Sequence, residues 1–184
     1  MYGEGFKKFY WGFLLVLIDF RLQGIDIFPD IIGFIFFASG IKLLMEQSTF
    51  FNKALPYNYF MVVLSIFSIY DAPVNGGGLN IQLGSLGPFA ILIAIASFIL
   101  TLLAIYNIFM GIKDMGQKVE NSFISEEASN RWSQFLYLQI AGMFAFILIF
   151  IPILAVIYII ALIIINIIYA INVLEFMKHC QETL

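Results

Sequence analysis

Five charged residues interrupt apolar sequence in the first half of the chain, and their types are the ones most able to do chemistry. They are Asp19, Arg21, Asp26, Asp30 and Asp71. Four carboxylates beside one guanidinium can bind a cation or a basic peptide, and two closely held aspartates can share a proton. The alternative role is structural, since Asp30 follows Pro29 in the first turn of a predicted helix and complements its dipole. The sequence leaves both roles open.

Other catalytic arrangements are absent from the sequence. It contains neither HExxH nor GxSxG, and its one histidine, His179, lies near the C-terminus beside the one cysteine, Cys180. A Ser–His relay and metal-dependent hydrolysis are therefore excluded, and a His–Cys pair is too small a ligand set for zinc. An aspartyl pair such as Asp19 with Asp71 remains open. We predict no catalytic residue, no metal ligand and no cofactor, in a chain that is not an enzyme.

The composition places these residues in a membrane. Of 184 residues, 62% are hydrophobic and 11% are charged, and the mean hydropathy is +0.98. Soluble domains carry about 45–50% apolar and about 25% charged residues. This much apolar surface requires lipid as its solvent, so the lipid bilayer is the first predicted partner. The net charge is −3 and no basic block occurs, which excludes nucleic acid.

Six apolar segments predict an all-α, polytopic membrane protein forming one domain over residues 1–184. The predicted helices cover residues 6–21, 29–46, 57–71, 87–112, 132–150 and 153–176. Pro152 is the expected reversal point between the last two, because proline ends one helix and suits the first turn of the next. The six helices would then form three hairpins. Five crossings is the alternative if the helix continues through Pro152.

The basic residues predict the orientation of this bundle. If the N-terminus is cytoplasmic, eight of the nine Lys and Arg residues lie on the cytoplasmic side and only Arg21 lies outside. The eight are Lys7, Lys8, Lys42, Lys53, Lys113, Lys118, Arg131 and Lys178. This asymmetry follows the positive-inside rule. With six crossings, both termini are cytoplasmic.

Two further features concern packing and partners. Small residues recur at steps of four and three in the fourth helix, with Ile108 filling the one gap, and they predict a packing seam for a neighbouring helix or a homodimer. They are Ala90, Ala94, Ser97, Thr101, Ala104 and Gly111. The hydrophilic sequence between the fourth and fifth apolar segments is the most accessible place for a cytoplasmic partner. Within it, "SEEASNRW" predicts a short helix with Ser125 as its N-cap.

The stretch "IDFRLQGIDIFPDIIGFIFF" carries the pattern D-x-R-x-x-G-x-D-x-x-P-D-x-x-G. It resembles the opening of uncharacterised small integral membrane proteins of Gram-positive, Bacillus-type bacteria. In this chain the pattern falls on Asp19, Arg21, Gly24, Asp26, Pro29, Asp30 and Gly33. The resemblance implies a multi-pass protein of the bacterial plasma membrane and carries no activity with it.

These features favour a non-enzymatic integral membrane protein that acts through a protein partner, in an accessory, regulatory or immunity-type role. The small size and the scarcity of charge within the apolar segments support this expectation. The alternative is a small ion or solute transporter, or a channel-like protein, that uses the outside carboxylates. A carrier of this kind normally shows broken helices and polar groups at the midplane, and the sequence offers few of either.

Overall fold

The computed structural model describes residues 2–17, 21–22, 25–26, 30–68, 89–148 and 150–184. This part of the chain is all-α and contains six helices, as predicted. They are α1 (Tyr2–Leu17), α2 (Asp30–Leu44), α3 (Thr49–Leu64), α4 (Phe89–Lys118), α5 (Ser122–Leu148) and α6 (Pro152–Thr183). A 3-10 turn, Ser65–Ser68, extends α3. Two short strands, β1 (Arg21–Leu22) and β2 (Ile25–Asp26), pair between α1 and α2.

The helices form a closed ring in sequence order. Each helix packs against the next, and α6 returns to pack against α1. The two termini lie at the same end of the bundle, since a Cβ atom placed on Gly3 would be 3.2 Å from the carbonyl oxygen of Gln181. At α5 the packing does not follow the predicted hairpins. Helix α5 contacts α4 of the preceding hairpin more extensively than it contacts α6, its own hairpin partner.

Glycine brings α1 and α2 into backbone contact. A Cβ on Gly12 would lie 3.1 Å from the carbonyl oxygen of Gly33, and a Cβ on Gly33 would lie 3.1 Å from that of Gly12. One end of the hairpin repeats the arrangement, where a Cβ on Gly40 would lie 2.9 Å from the carbonyl oxygen of Gly5. Small residues at such positions allow close helix approach and favour dispersion contacts.

The interior of the ring is filled by aromatic side chains. Seven phenylalanines are almost fully buried: Phe6, Phe9, Phe13, Phe34, Phe37, Phe51 and Phe109. The ring of Phe13 lies 4.8 Å from that of Phe37 on α2 and 5.4 Å from that of Phe109 on α4. Phe9 reaches across to Phe51 on α3, at 5.9 Å between centroids. Helix α1 therefore contacts three other helices through its phenylalanines.

The helix break predicted at Pro152 is confirmed. Helix α5 ends at Leu148 and α6 begins with Pro152 in its first turn. The two helices are antiparallel, because the Tyr158 hydroxyl donates to the carbonyl oxygen of Ala141 at 2.9 Å and the Tyr169 hydroxyl donates to that of Arg131 at 3.3 Å. Helices α5 and α6 are therefore separate and do not form one helix that continues through Pro152.

Several predicted boundaries were wrong, and the start of the third helix is one of them. It begins at Thr49 instead of 57 and continues through Pro56. The Ser48 hydroxyl caps it by accepting from the backbone N–H of Phe50 at 3.3 Å. An internal proline removes one helical hydrogen bond, and the packing of α3 on both neighbours offsets that loss. The predicted start at 57 gave Pro56 too much weight.

The fifth helix also starts earlier than predicted. It begins at Ser122 instead of 132 and runs without interruption to Leu148. Asn121 is its cap, with Oδ1 accepting from the backbone N–H of Ile124 at 3.1 Å. Ser125 is therefore inside the helix, and the separate short helix predicted there does not form. Helices α4 and α6 likewise extend past their predicted ends, to Lys118 and Thr183, because helical hydrogen bonds form equally well in polar sequence.

Within the described residues, two helical segments are long and apolar enough to cross a membrane, Ile91–Lys118 and Pro152–Thr183. Only 22% and 17% of their most apolar windows are buried inside the protein. The core helix of a soluble protein would be mostly buried. These two helices instead present their apolar side chains to the surroundings.

Candidate functional site

Part of the predicted acidic turn forms the antiparallel pair of short strands β1 and β2, which lie between α1 and α2 in the sequence. Arg21 lies directly opposite Asp26 in the antiparallel pair, and Leu22 lies opposite Ile25. Asp30 then begins α2, where its charge complements the helix dipole. The side chains of Arg21 and Asp26 lie outside the described part of the structure, as do Asp19 and Asp71 entirely. The backbone pairing therefore places two residues of opposite charge from the predicted site, Arg21 and Asp26, opposite each other.

The small residues of α4 divide between two environments. Ala94 is exposed, whereas Ala104 is fully buried. Thr101 donates its hydroxyl to the Met61 sulfur on α3 at 3.5 Å, and the ring of Phe51 packs directly over Gly111. Ser97 is half-buried, and the side chain of Ala90 lies outside the described residues. Helix α3 thus packs against the Thr101–Gly111 part of the series, and Ala94 stays open.

A polar network fixes the end of the bundle that holds the termini. Lys118 at the end of α4 forms an ion pair with Asp114 at 2.9 Å. The same ammonium donates to the carbonyl oxygen of Gln47 in the turn between α2 and α3. Exposed ion pairs contribute little stability on their own, but this one joins two turns. The end of α4 is therefore held in place where the chain turns towards α5.

The turn between α4 and α5 presents apolar side chains at this polar end. Glu120 adopts a left-handed conformation, with φ of 56°, and the Asn121 N–H donates to the Gly116 carbonyl at 2.8 Å. The turn is well ordered by these contacts, yet Val119 is 57% exposed and Phe123 is 58% exposed. Phe123 is fixed further by an edge-to-face contact with the ring of His179, at 5.2 Å.

Two polar clefts adjoin this turn. One has a volume of about 270 Å³ and is lined by Gln117, Glu120 and Ser125, among others. The second, of about 510 Å³, shares Gln117, Ser125 and Glu126 with the first and continues to Asn130. We call the exposed side chains of this region the α4–α5 surface, comprising Val119, Glu120, Phe123, Glu126 and Asn130. It combines an aromatic side chain with carboxylates.

A semi-buried polar centre lies one helical turn further along α5. Arg131 and Glu127 form an ion pair with side chains only 14% and 21% exposed, respectively. The guanidinium also donates to Gln134 Oε1 at 2.7 Å, and its buried Nε has no hydrogen-bond partner among the described residues. Tyr169 of α6 donates to the Arg131 carbonyl. Our reading of the sequence missed this centre, although Glu and Arg at i, i+4 are a recognisable helical pair.

Comparison with known proteins assigns the chain to no family. No family model, no curated protein and no solved structure matches it. A function for the chain therefore rests on its own residues and their geometry.

Proposed function

We propose that this chain is a multi-pass protein of the bacterial plasma membrane, with six crossings and both termini cytoplasmic, that acts by binding a protein partner. It is proposed to have no enzymatic role. The observation that carries the proposal is the aromatic filling of the interior combined with the exposure of apolar side chains around it. A bundle built in this way acts through its outer surface.

The exposed aliphatic side chains support membrane insertion. Ile153, Ile157, Ile160 and Ile164 on α6 are 53–79% exposed, and such a surface is stable in lipid and not in water. Helices α1 to α3 have 15 or 16 residues each and rise only about 24 Å. Spans of that length require a locally thinned bilayer. The resemblance of the first two helices to small Bacillus-type membrane proteins supports the bacterial plasma membrane.

The position of the basic residues supports the orientation. The described Lys and Arg side chains all belong to the half of the bundle nearer the two termini, given the order of the helices. They are Lys7, Lys8, Lys42, Lys53, Lys113, Lys118, Arg131 and Lys178. By the positive-inside rule, this distribution supports a cytoplasmic location for that end.

The interior supports a role other than transport. Asn58 and Asn107 are the two buried amides within the described residues. Asn58 donates to the Phe34 carbonyl at 2.7 Å, and Asn107 donates to the Leu103 carbonyl at 2.7 Å. Each amide nitrogen thus donates to a backbone carbonyl of a helix. A carrier requires polar groups facing a shared path near the midplane, and phenylalanines occupy that space in the described part of the bundle.

The α4–α5 surface is the proposed contact for the partner. Phe123 lies at the end of the bundle assigned to the cytoplasm, where an exposed aromatic side chain gains from being covered. Glu120 and Glu126 flank it, so a partner surface with an apolar centre and basic rim is complementary in charge. The ordered turn lowers the entropic cost of binding.

Photo-crosslinking in living cells tests this proposal. A photoreactive amino acid replaces Phe123, and the matched control places it at Phe60, which is 61% exposed on α3. The proposal predicts one discrete protein adduct from position 123 and none of that mass from position 60, with loss of the adduct in a Glu120→Lys, Glu126→Lys background. Identical adduct patterns at both positions would contradict it. So would cation or solute uptake by proteoliposomes of the purified chain that Asp26→Asn abolishes.

A further inference from the structure

The crevice between α5 and α6 opens sideways as an apolar groove. Its volume is about 370 Å³. Its apolar lining comprises Tyr137, Leu138, Ala141, Leu162, Ile165 and Ile168. Tyr137 is 70% exposed and Ile168 is 52% exposed, so the groove opens to the surroundings of the bundle. The sparse packing of α5 on α6 leaves this space.

A polar pocket continues the groove towards the termini. It has a volume of about 190 Å³ and shares Asn172 with the apolar groove. Arg131 and Glu127 line it from α5, and Glu175 and His179 line it from α6. Within the described part of the chain, Glu175 forms no ion pair. The crevice as a whole is therefore amphipathic along its length.

The dimensions of the crevice match one leaflet of a bilayer. From Leu162 to Asn172 the α6 backbone rises about 15 Å, which is half the hydrocarbon thickness of about 30 Å. Arg131 stands immediately before the apolar part of α5, which begins at Trp132. The polar pocket thus lies at headgroup depth if α5 and α6 cross the membrane.

The charges in the polar pocket select the headgroup. The guanidinium of Arg131 suits a phosphate, but Glu127 already neutralises part of its charge. Glu175 adds an unpaired carboxylate, which suits a primary ammonium. A purely anionic headgroup would face two carboxylates and one guanidinium, with the His179 imidazole also on the lining, so the two carboxylates disfavour its binding.

We propose that this crevice binds one phospholipid of the cytoplasmic leaflet with a zwitterionic, ethanolamine-type headgroup. One acyl chain occupies the apolar groove, the phosphate lies at Arg131 and the ammonium lies at Glu175. This site rests on the membrane placement proposed above, and Phe123 of the α4–α5 surface borders its polar pocket. The lipid completes the packing between α5 and α6 that the side chains leave open.

Native mass spectrometry of the full chain tests the lipid site. The protein is reconstituted in nanodiscs with equal amounts of phosphatidylethanolamine and phosphatidylglycerol and then released into mild detergent. The expected spectrum shows one retained phosphatidylethanolamine per chain. Ala141→Trp fills the groove and should lower the occupancy by phosphatidylethanolamine at least about tenfold. A tenfold loss corresponds to only a modest change in binding free energy. Ala161→Trp, on an exposed position of α6 outside the groove, is the matched control and should retain the lipid.

A second variant tests the headgroup separately from folding. Glu175 is exposed, so Glu175→Gln should leave the unfolding temperature unchanged and remove the preference for phosphatidylethanolamine over phosphatidylglycerol. A wild-type chain that retains no lipid, retains both lipids equally, or exchanges lipid for a second copy of itself would overturn the site. The two failures are distinguishable, because the lipid site is judged by lipid retention in Ala141→Trp, in the groove that Phe123 does not line, and partner binding is judged by the crosslink from position 123.

Discussion

Gly12 and Gly33 face each other across the α1–α2 contact, and each lacks the side chain that would strike the other's backbone. A Cβ on either residue would lie 3.1 Å from the carbonyl oxygen of its partner. The close approach is the same in both directions, so a Cβ added on either helix would press on the backbone of the other. This contact sets the distance between α1 and α2. Strands β1 and β2 lie between these two helices in the sequence.

We predict that Gly12→Ala destabilises the protein by about 1–3 kcal/mol, the usual cost of forcing extra atoms into a packed contact. The new methyl group would overlap the ring of Phe37 and press on the Gly33 carbonyl. Thermal unfolding in detergent measures the effect. Gly142→Ala is the control, because a Cβ there meets nothing within 4 Å. It should be neutral or stabilise α5 by up to about 1 kcal/mol. Equal effects of the two substitutions would contradict the close packing.

The buried amide of Asn58 gives a second prediction. Its Nδ2 donates to the Phe34 carbonyl, and its Oδ1 has no partner among the described residues. Asn58→Leu should therefore change stability by less than about 1 kcal/mol, since bonds of this kind in membranes contribute about 0.6 kcal/mol on average. Asn58→Asp places a carboxylate against a carbonyl in an apolar interior and should destabilise by several kcal/mol. A tolerated Asp at unfolding temperatures equal to wild type would show that water reaches this position.

The semi-buried ion pair gives a third prediction. Glu127→Ala leaves the Arg131 guanidinium without its carboxylate. It should cost about 1–3 kcal/mol, below the figure for a fully buried pair because both side chains retain some exposure. Replacing both residues by leucine should recover most of this loss. Lys118→Met, in an ion pair whose lysine side chain is 56% exposed, should cost less than about 1 kcal/mol. Equal losses from the single and double substitutions would show that the pair is not coupled.

The acidic turn gives a fourth prediction. Asp30→Asn should lower the stability of α2 by no more than about 1 kcal/mol, because asparagine removes the charge that complements the helix dipole but keeps a side-chain oxygen that can accept hydrogen bonds at a helix start. Asp26→Asn, in the same turn, should leave the yield of the crosslink from position 123 at the wild-type level. The readouts are unfolding temperature and crosslink yield in the same variants. If either variant folds normally and loses the crosslink, the turn takes part in partner binding.

Two prolines illustrate how far sequence pattern predicts the fold. Pro152 follows a long apolar run and precedes another, so a break was required there by length alone, and the break is present. Pro56 follows a polar stretch with its own cap at Ser48, and the helix continues through it. A proline marks a helix boundary only where the flanking residues also favour the end or the start of a helix. Helix number was therefore predictable, and boundaries in polar sequence were not.

The candidate site was less predictable than the fold. The i, i+4 spacing of Glu127 and Arg131 is visible in the sequence, but the contact of Arg131 with Tyr169 spans 38 residues and depends on how α5 and α6 pack. The same holds for Gly12 and Gly33, since facing glycines are defined by two helices together. Patterns within one helix are readable, whereas contacts between helices require the three-dimensional arrangement.

The most direct test of the membrane account is thiol labelling of intact cells with a membrane-impermeant maleimide. Cys180 is buried and is first replaced by alanine. Single cysteines then replace Phe150, which is 86% exposed between α5 and α6, or Glu120, which is exposed between α4 and α5. The account predicts labelling of Phe150→Cys in intact cells and of Glu120→Cys only after permeabilisation. Equal labelling of both positions in intact cells would contradict a crossing by α5, and with it the six-crossing arrangement.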